Sequence, residues 1–418
     1  MKNLIYSILI LSLLIPFGCR KEPPLQDIDG HWRAVWLSQG GEIPCDFIFK
    51  TSENGELRGE VHNAEEVIPF SRIERSGPHI NLFIDIYECL ISADIAEDGR
   101  SMTGNWSKKV GGTPVGLPFD AFRGDLDRFP VEKYPTLEGT APIQDVSGTW
   151  KYVWDGGSPD EYMVMTFRQT GDRVTASVRS VFGDWRWLEG IYRNGRLRLS
   201  MFNGTWVSLL SAEMDRDGTL RGICVKRADA PRAWHAVRED VDLPDPFAIA
   251  RLNNREGLFR FEYPLADSPE TRISQNDPRF QGRPLVVAFT SSGCPNGHDN
   301  AALLSKMYRD YHQNGLEMLF VNYEFDDDLS IIQTRVRRFR DAFDLPIPIA
   351  YSLAKNKAAA GEELPDLERF VAHPTTFFLN REGRVAAIHT GMDGPATGGF
   401  YVKLEQKYRK IIESLLRP

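Results

Sequence analysis

The chain has 418 residues but few cysteines, five, and few histidines, eight. Cys19, Cys45, Cys89, Cys224 and Cys294 lie far apart with no CxxC among them, which excludes a zinc ribbon and an intact dithiol redox motif. The histidines are scattered, so a metal site has no support, and no motif asks for a cofactor. Long runs of one charge are also missing. Fifty Lys and Arg stand against 58 Asp and Glu, and the one basic cluster, 335–340, is interrupted by Val336 and Phe339. No nucleic-acid partner is expected from so short a patch on an acidic chain. Nor does any apolar run reach the roughly 20 residues of a comfortable membrane span. At this length, and with an ordinary 42% hydrophobic content, the chain should divide into two or three domains.

The apolar run that is present, 4–17, follows Lys2 and ends at Gly18-Cys19, the layout of a secretory signal and its cleavage site. Gly18-Cys19 resembles the lipobox of bacterial lipoproteins, although Pro16 and Phe17 depart from the usual residues. The resemblance implies lipidation of Cys19 and a mature chain tethered by residues 20–26, with 1–19 removed as a signal peptide. Acyl chains would then hold it to a membrane, at about 0.8 kcal/mol per buried methylene. The location implied is the cell envelope, facing the periplasm or the exterior. Ordinary secretion is the alternative. Cys45 and Cys89 share one putative domain and either bridge or act as small buried hydrophobes; Cys224, in a strand-like stretch, reads as core.

An internal repeat organises the first 240 residues. Asp27-Ile28-Asp29-Gly30-His31-Trp32 matches Asp145-Val146-Ser147-Gly148-Thr149-Trp150 at an offset of 118, Gly104 falls against Gly222, and Asp98-Gly99 lies one residue out of step with Asp217-Gly218. Two copies of one domain are expected, 27–130 and 145–240. Short alternating segments between turns such as Asn54-Gly55 and Asn194-Gly195 make each an all-β module, a small barrel or sandwich. Leu197, Leu199 and Met201 fall on one strand face. The Gly-x-Trp start of each copy more often plugs a barrel end than binds a ligand. A Pro-rich linker, 241–255, follows. Beyond it, over 256–418, the apolar run 284–289, helical spacing in Leu304, Met307 and Tyr308, a second buried strand at 316–323 and a helix at 336–343 make a βαβ unit. A hairpin around 380–383 and a terminal amphipathic helix complete an α/β domain.

Cys294 stands where the first buried strand of that domain meets its helix. This order, and the segment Phe289-Thr290-Ser291-Ser292-Gly293-Cys294-Pro295-Asn296-Gly297, resemble the thioredoxin-like thiol-disulfide oxidoreductases of the TlpA/ResA type. His373-Pro374-Thr375 is similar to their cis-proline strand, and Ile388-His389-Thr390-Gly391 to the strand before their last helix. The resemblance implies a catalytic pair of Cys294 and His373, substrate contacts at Pro374 and Thr375, and as partners protein thiols or disulfides with an external thiol reductant. Three positions depart from it. Gly297 replaces the resolving cysteine, Gly293 replaces a tryptophan, and Ala288 replaces a buried acid. Without the second thiol the dithiol cycle cannot close within the site. What remains suits one-cysteine redox chemistry, with a thiolate favoured by helix-end amides and by a protonated His373. The alternative is a non-catalytic protein with a relic site, holding an extended polypeptide along the cis-proline strand edge. His298 reads as a solvated helix residue.

Overall fold

The computed structural model describes residues 26–110, 113–130, 143–158, 161–354 and 356–417. Cys19 and most of the tether fall outside them. Among the described residues no helix is long and apolar enough to cross a membrane.

Both repeats are antiparallel sheets of nine strands. In the first, running from Gly30–Ser38 to Thr113–Arg123, the opening strand pairs with the second and the last, and the two ends of the sheet do not meet, leaving a half-barrel. In the second, Met163–Thr170 pairs with both Gly148–Trp154 and Arg173–Ser180, which closes eight strands into a barrel; Gly183–Asp184 is an added ninth. The sequence repeat has a physical basis. Trp32 and Trp150 are fully buried, and their indole N–H groups donate to the carbonyls of Ile28 and Val146, each at 2.8 Å. Gly104 and Gly222 lie where a Cβ would run into the carbonyls of Ser92 and Ser211, at 2.0 and 1.8 Å.

The two copies are not independent beads. The half-barrel core takes in Phe202, Val207 and Leu209 from one hairpin of the barrel. The Phe202 ring lies 4.3 Å from that of Trp36, and the Asn63 side-chain amide bonds both the N–H and the C=O of Phe202. The open side of the first module is thus filled by the second. Cys45, Cys89 and Cys224 are buried and unbridged, and burial pushes their thiols up to about 12, 12 and 11.

The C-terminal domain has a five-stranded sheet. Leu285–Thr290 lies at its centre, parallel to Glu317–Tyr323 and antiparallel to Thr375–Leu379, with Ile349–Ser352 and Val385–Thr390 at the edges. Every residue of the central strand is buried, as expected of a strand covered on both faces. The helices Pro295–Tyr311, Leu329–Phe343 and Gly399–Leu416 fill one side. The second helix starts seven residues before its legible stripe, because Asp328 caps it by accepting from the Ser330 and Ile331 amides.

Candidate active site

Cys294 is the N-cap of the helix Pro295–Tyr311, where the amides of Asn296 and Gly297 act on its thiol without a capping hydrogen bond. These favour the thiolate, as the sequence leads one to expect. Burial outweighs them, with the Asp299 charge adding to it, so the thiol is raised above its ordinary value rather than lowered. The expectation of a depressed Cys294 fails on desolvation.

The peptide between His373 and Pro374 is cis. What faces the sulfur is the carbonyl of His373, 3.8 Å from Cys294 Sγ. The imidazole packs among aromatics instead, with ring centres 4.8 Å from Phe370 and 5.0 Å from Tyr323. The charged groups acting most on Cys294 are Asp299 and Arg186. Pro374 and Thr375 are buried. The Pro374 carbonyl accepts from Gly391 N, and Thr375 is paired on both sides, with Phe289 and Thr390. That strand is therefore interior, not an edge for β-augmentation, and the cleft at Cys294 is lined by the preceding segment, 368–371.

Gly297 has no room for a larger residue as the loop stands. A Cβ there would lie 3.3 Å from Cys294 Cβ but only 2.2 Å from Thr290 Oγ1. The threonine hydroxyl occupies the space a second cysteine would need. Ala288 is fully buried in the central strand, and acids arrive from elsewhere. Glu324, also buried, accepts from Ser292 Oγ at 2.6 Å and from Ser292 N at 3.2 Å, fixing the loop two residues before the thiol.

His298 is the clearest correction. It is 5% exposed, and its Nε2 lies 2.6 Å from the Ser292 carbonyl. A carbonyl only accepts, so Nε2 carries the proton and Nδ1 accepts from the Tyr87 hydroxyl, 2.9 Å away in the half-barrel. Burial depresses His298 to about 3 and keeps it neutral. Next to it, Asp299 is raised to about 7 by burial. Arg186, from the barrel, lies 3.3 Å from Asp299, bonds Glu66 of the half-barrel at 2.6 Å, and donates to the Pro295 carbonyl at 3.0 Å. Asp184, raised to about 6, accepts from Gly394 N at 2.6 Å. All three parts of the chain thus build the surroundings of Cys294. A lone His one residue past the site was the only sequence signal; nothing marked residues 66, 87, 184 or 186, which sit more than 100 positions away.

Residues 256–398 match the Redoxin family model. The C-terminal domain is a redoxin domain. Thiol-disulfide oxidoreductase ResA of Halalkalibacterium halodurans is 27% identical over 144 residues, which are 34% of this chain and 71% of that protein. Among solved structures, a putative thiol:disulfide interchange protein DsbE from Chlorobium tepidum is 16% identical, covering 38% of this chain and 94% of its own, with a TM-score of 0.29. A thiol-disulfide oxidoreductase from Bacteroides fragilis is 20% identical over 35% and 96%, with a TM-score of 0.26. The redoxin domain is of the thioredoxin-like thiol-disulfide oxidoreductase type.

Proposed function

We propose that the protein is an exported, lipid-anchored redox protein of the cell envelope that works with one cysteine, Cys294. The observation that carries this is the thiol at a helix N-terminus, in a cleft, with the carbonyl before the cis-proline 3.8 Å from its sulfur. Cys294, once deprotonated, attacks a partner disulfide; one partner sulfur joins Cys294 and the other leaves as thiolate, taking up the proton. Gly297 offers no resolving thiol, so an external thiol reductant attacks the mixed disulfide, regenerating Cys294 and carrying the partner sulfur away as a new disulfide. A raised thiol lowers the thiolate fraction and slows this attack in the resting protein. Anchoring rests on Gly18-Cys19 after the apolar run, and Cys19→Ser should release the chain from membranes.

The rival reading, a polypeptide-binding protein with a relic site, gains from the raised Cys294 thiol and the filled space at Gly297. Trapping decides. Incubated with a disulfide-bonded peptide, the full chain should form a mixed disulfide that external thiol resolves, and Cys294→Ser should form none. If the natural protein forms none either, the redox reading falls.

A further inference from the structure

Alternate connections of an up-and-down barrel emerge at the same end. In the second module that end carries Trp154, Trp185, Trp206, Lys226 and Arg232, from four different connections. The Lys226 ammonium lies 3.6 Å from the Trp185 ring centre, 5.6 Å from Trp206 and 5.9 Å from Trp154. Arg232 lies 4.3 Å over Trp154, and Arg227 4.0 Å over Trp206. Three cations thus converge on three indoles; Asp229 is a carboxylate acting on Lys226, and Glu161 and Glu368 line the same cleft. Burial and the two arginines hold Lys226 below the ordinary lysine value, a condition an anionic ligand would relieve.

This mouth opens on the redoxin domain. A cleft of about 1350 Å³ lies between them, with Cys294 and Pro295 on one wall and Trp185, Lys226 and Arg232 on the other. The walls meet at Arg186, the neighbour of Trp185, which holds the Pro295 carbonyl. Sites for drug-sized molecules run to about 300–1,000 Å³. The larger volume, and a redoxin wall made by segment 368–371, suit an extended polypeptide.

We propose that the barrel mouth is a docking site for an acidic polypeptide segment, whose carboxylate is held between Lys226 and Arg232 while its apolar atoms lie on Trp185, so that a neighbouring cysteine or disulfide reaches Cys294. The inference rests on the redox reading for its last clause only. It names what the β repeat does for the site: the barrel selects the partner and the redoxin domain reacts with it.

The test uses the full chain and blocked hexapeptides with one Glu three residues from a Ser, beside Gln and Lys analogues, followed by indole fluorescence. The Glu peptide should bind roughly tenfold tighter than the Gln one, and the advantage should shrink as salt screens it. Lys226→Met, which keeps the stem on the indoles, and Arg232→Gln should each erase the preference, and Lys226→Arg should keep it. Equal binding of Glu and Gln peptides, or a preference that survives in both loss variants, overturns the proposal. So does competition by free glutamate as strong as by the peptide, which would make the ligand a small anion. Cysteine versions of the peptides separate the two readings. Glu-dependent binding without any mixed disulfide leaves the docking site and removes the redox role; mixed disulfides formed at equal rates with Glu and Gln peptides leave the redox role and remove the docking site.

Discussion

Position 297 is set by packing against Thr290 and Cys294. The Cβ separation a cysteine there would have from Cys294, 3.3 Å, is near the roughly 3.5–4.5 Å of disulfides. Its clash with Thr290 Oγ1 is what opposes it. Gly297→Cys alone is expected to destabilise the chain by about 1–3 kcal/mol, the range for overpacking. Thr290→Ala with Gly297→Cys should recover most of that and bridge under mild oxidation, seen as two fewer titratable thiols without reductant. If the double variant keeps both thiols free, the placement of Cys294 against Gly297 is wrong. Cys294 itself should alkylate at pH 7 more slowly than cysteine in a short peptide, because burial raises it. A faster reaction would contradict the buried setting.

Elements meet around the site through neutral and half-neutralised groups, and this sets the pH response. Asp299 titrates near 7 in the fold against about 3.9 in an unfolded chain. The native state therefore holds the extra proton over that window, and the stability from this group is lost as pH rises through it. His298 acts oppositely: it is depressed to about 3, so its contribution is lost as pH falls from about 6.5 toward 3. Asp299→Asn, which stays neutral throughout, should gain on the natural protein by on the order of 2 kcal/mol between pH 5 and 8, read from urea midpoints at both. A constant difference would show that Asp299 is already ionised at pH 5. Across the same contact, Tyr87→Phe leaves His298 Nδ1 buried without its donor and should cost about 1–3 kcal/mol.

For the whole molecule, the cores predict which parts stand alone. Among the described residues, the two clusters flanking the redoxin sheet draw only on 247–416, and the barrel cluster only on 143–236. The half-barrel cluster borrows from the barrel. A fragment from about Asp245, which keeps Phe247 and Ala250, should therefore fold by itself, though without Tyr87, Arg186 and Asp184 around its helix start, whereas 27–130 should not fold cooperatively without 145–240. Phe202→Ala, a change in the barrel, should loosen the half-barrel by roughly 3–5 kcal/mol. The check is hydrogen exchange resolved by strand, with amides around Trp36 and Phe47 opening first; unchanged protection there would mean that the first module closes its own core.

Local signals were enough for much of this. Period-two strands, glycine-bearing turns and the Trp repeat specified two β modules because a strand's burial pattern is written in adjacent residues, and the Asn194-Gly195 turn duly has both residues at positive φ. The buried run 284–289, Cys294 at a helix start and His373-Pro374 sufficed for the redoxin domain, since each lies within one connection of the next. Tertiary structure alone decided the state of the site. Whether helix-end amides or desolvation governs Cys294, whether His298 is solvated, which side of His373 faces the sulfur, and where Arg335 spends its charge, on Glu88 of the half-barrel, depend on what three distant parts of the chain place against one helix. Burial is a property of that assembly, and no spacing within the sequence encodes it.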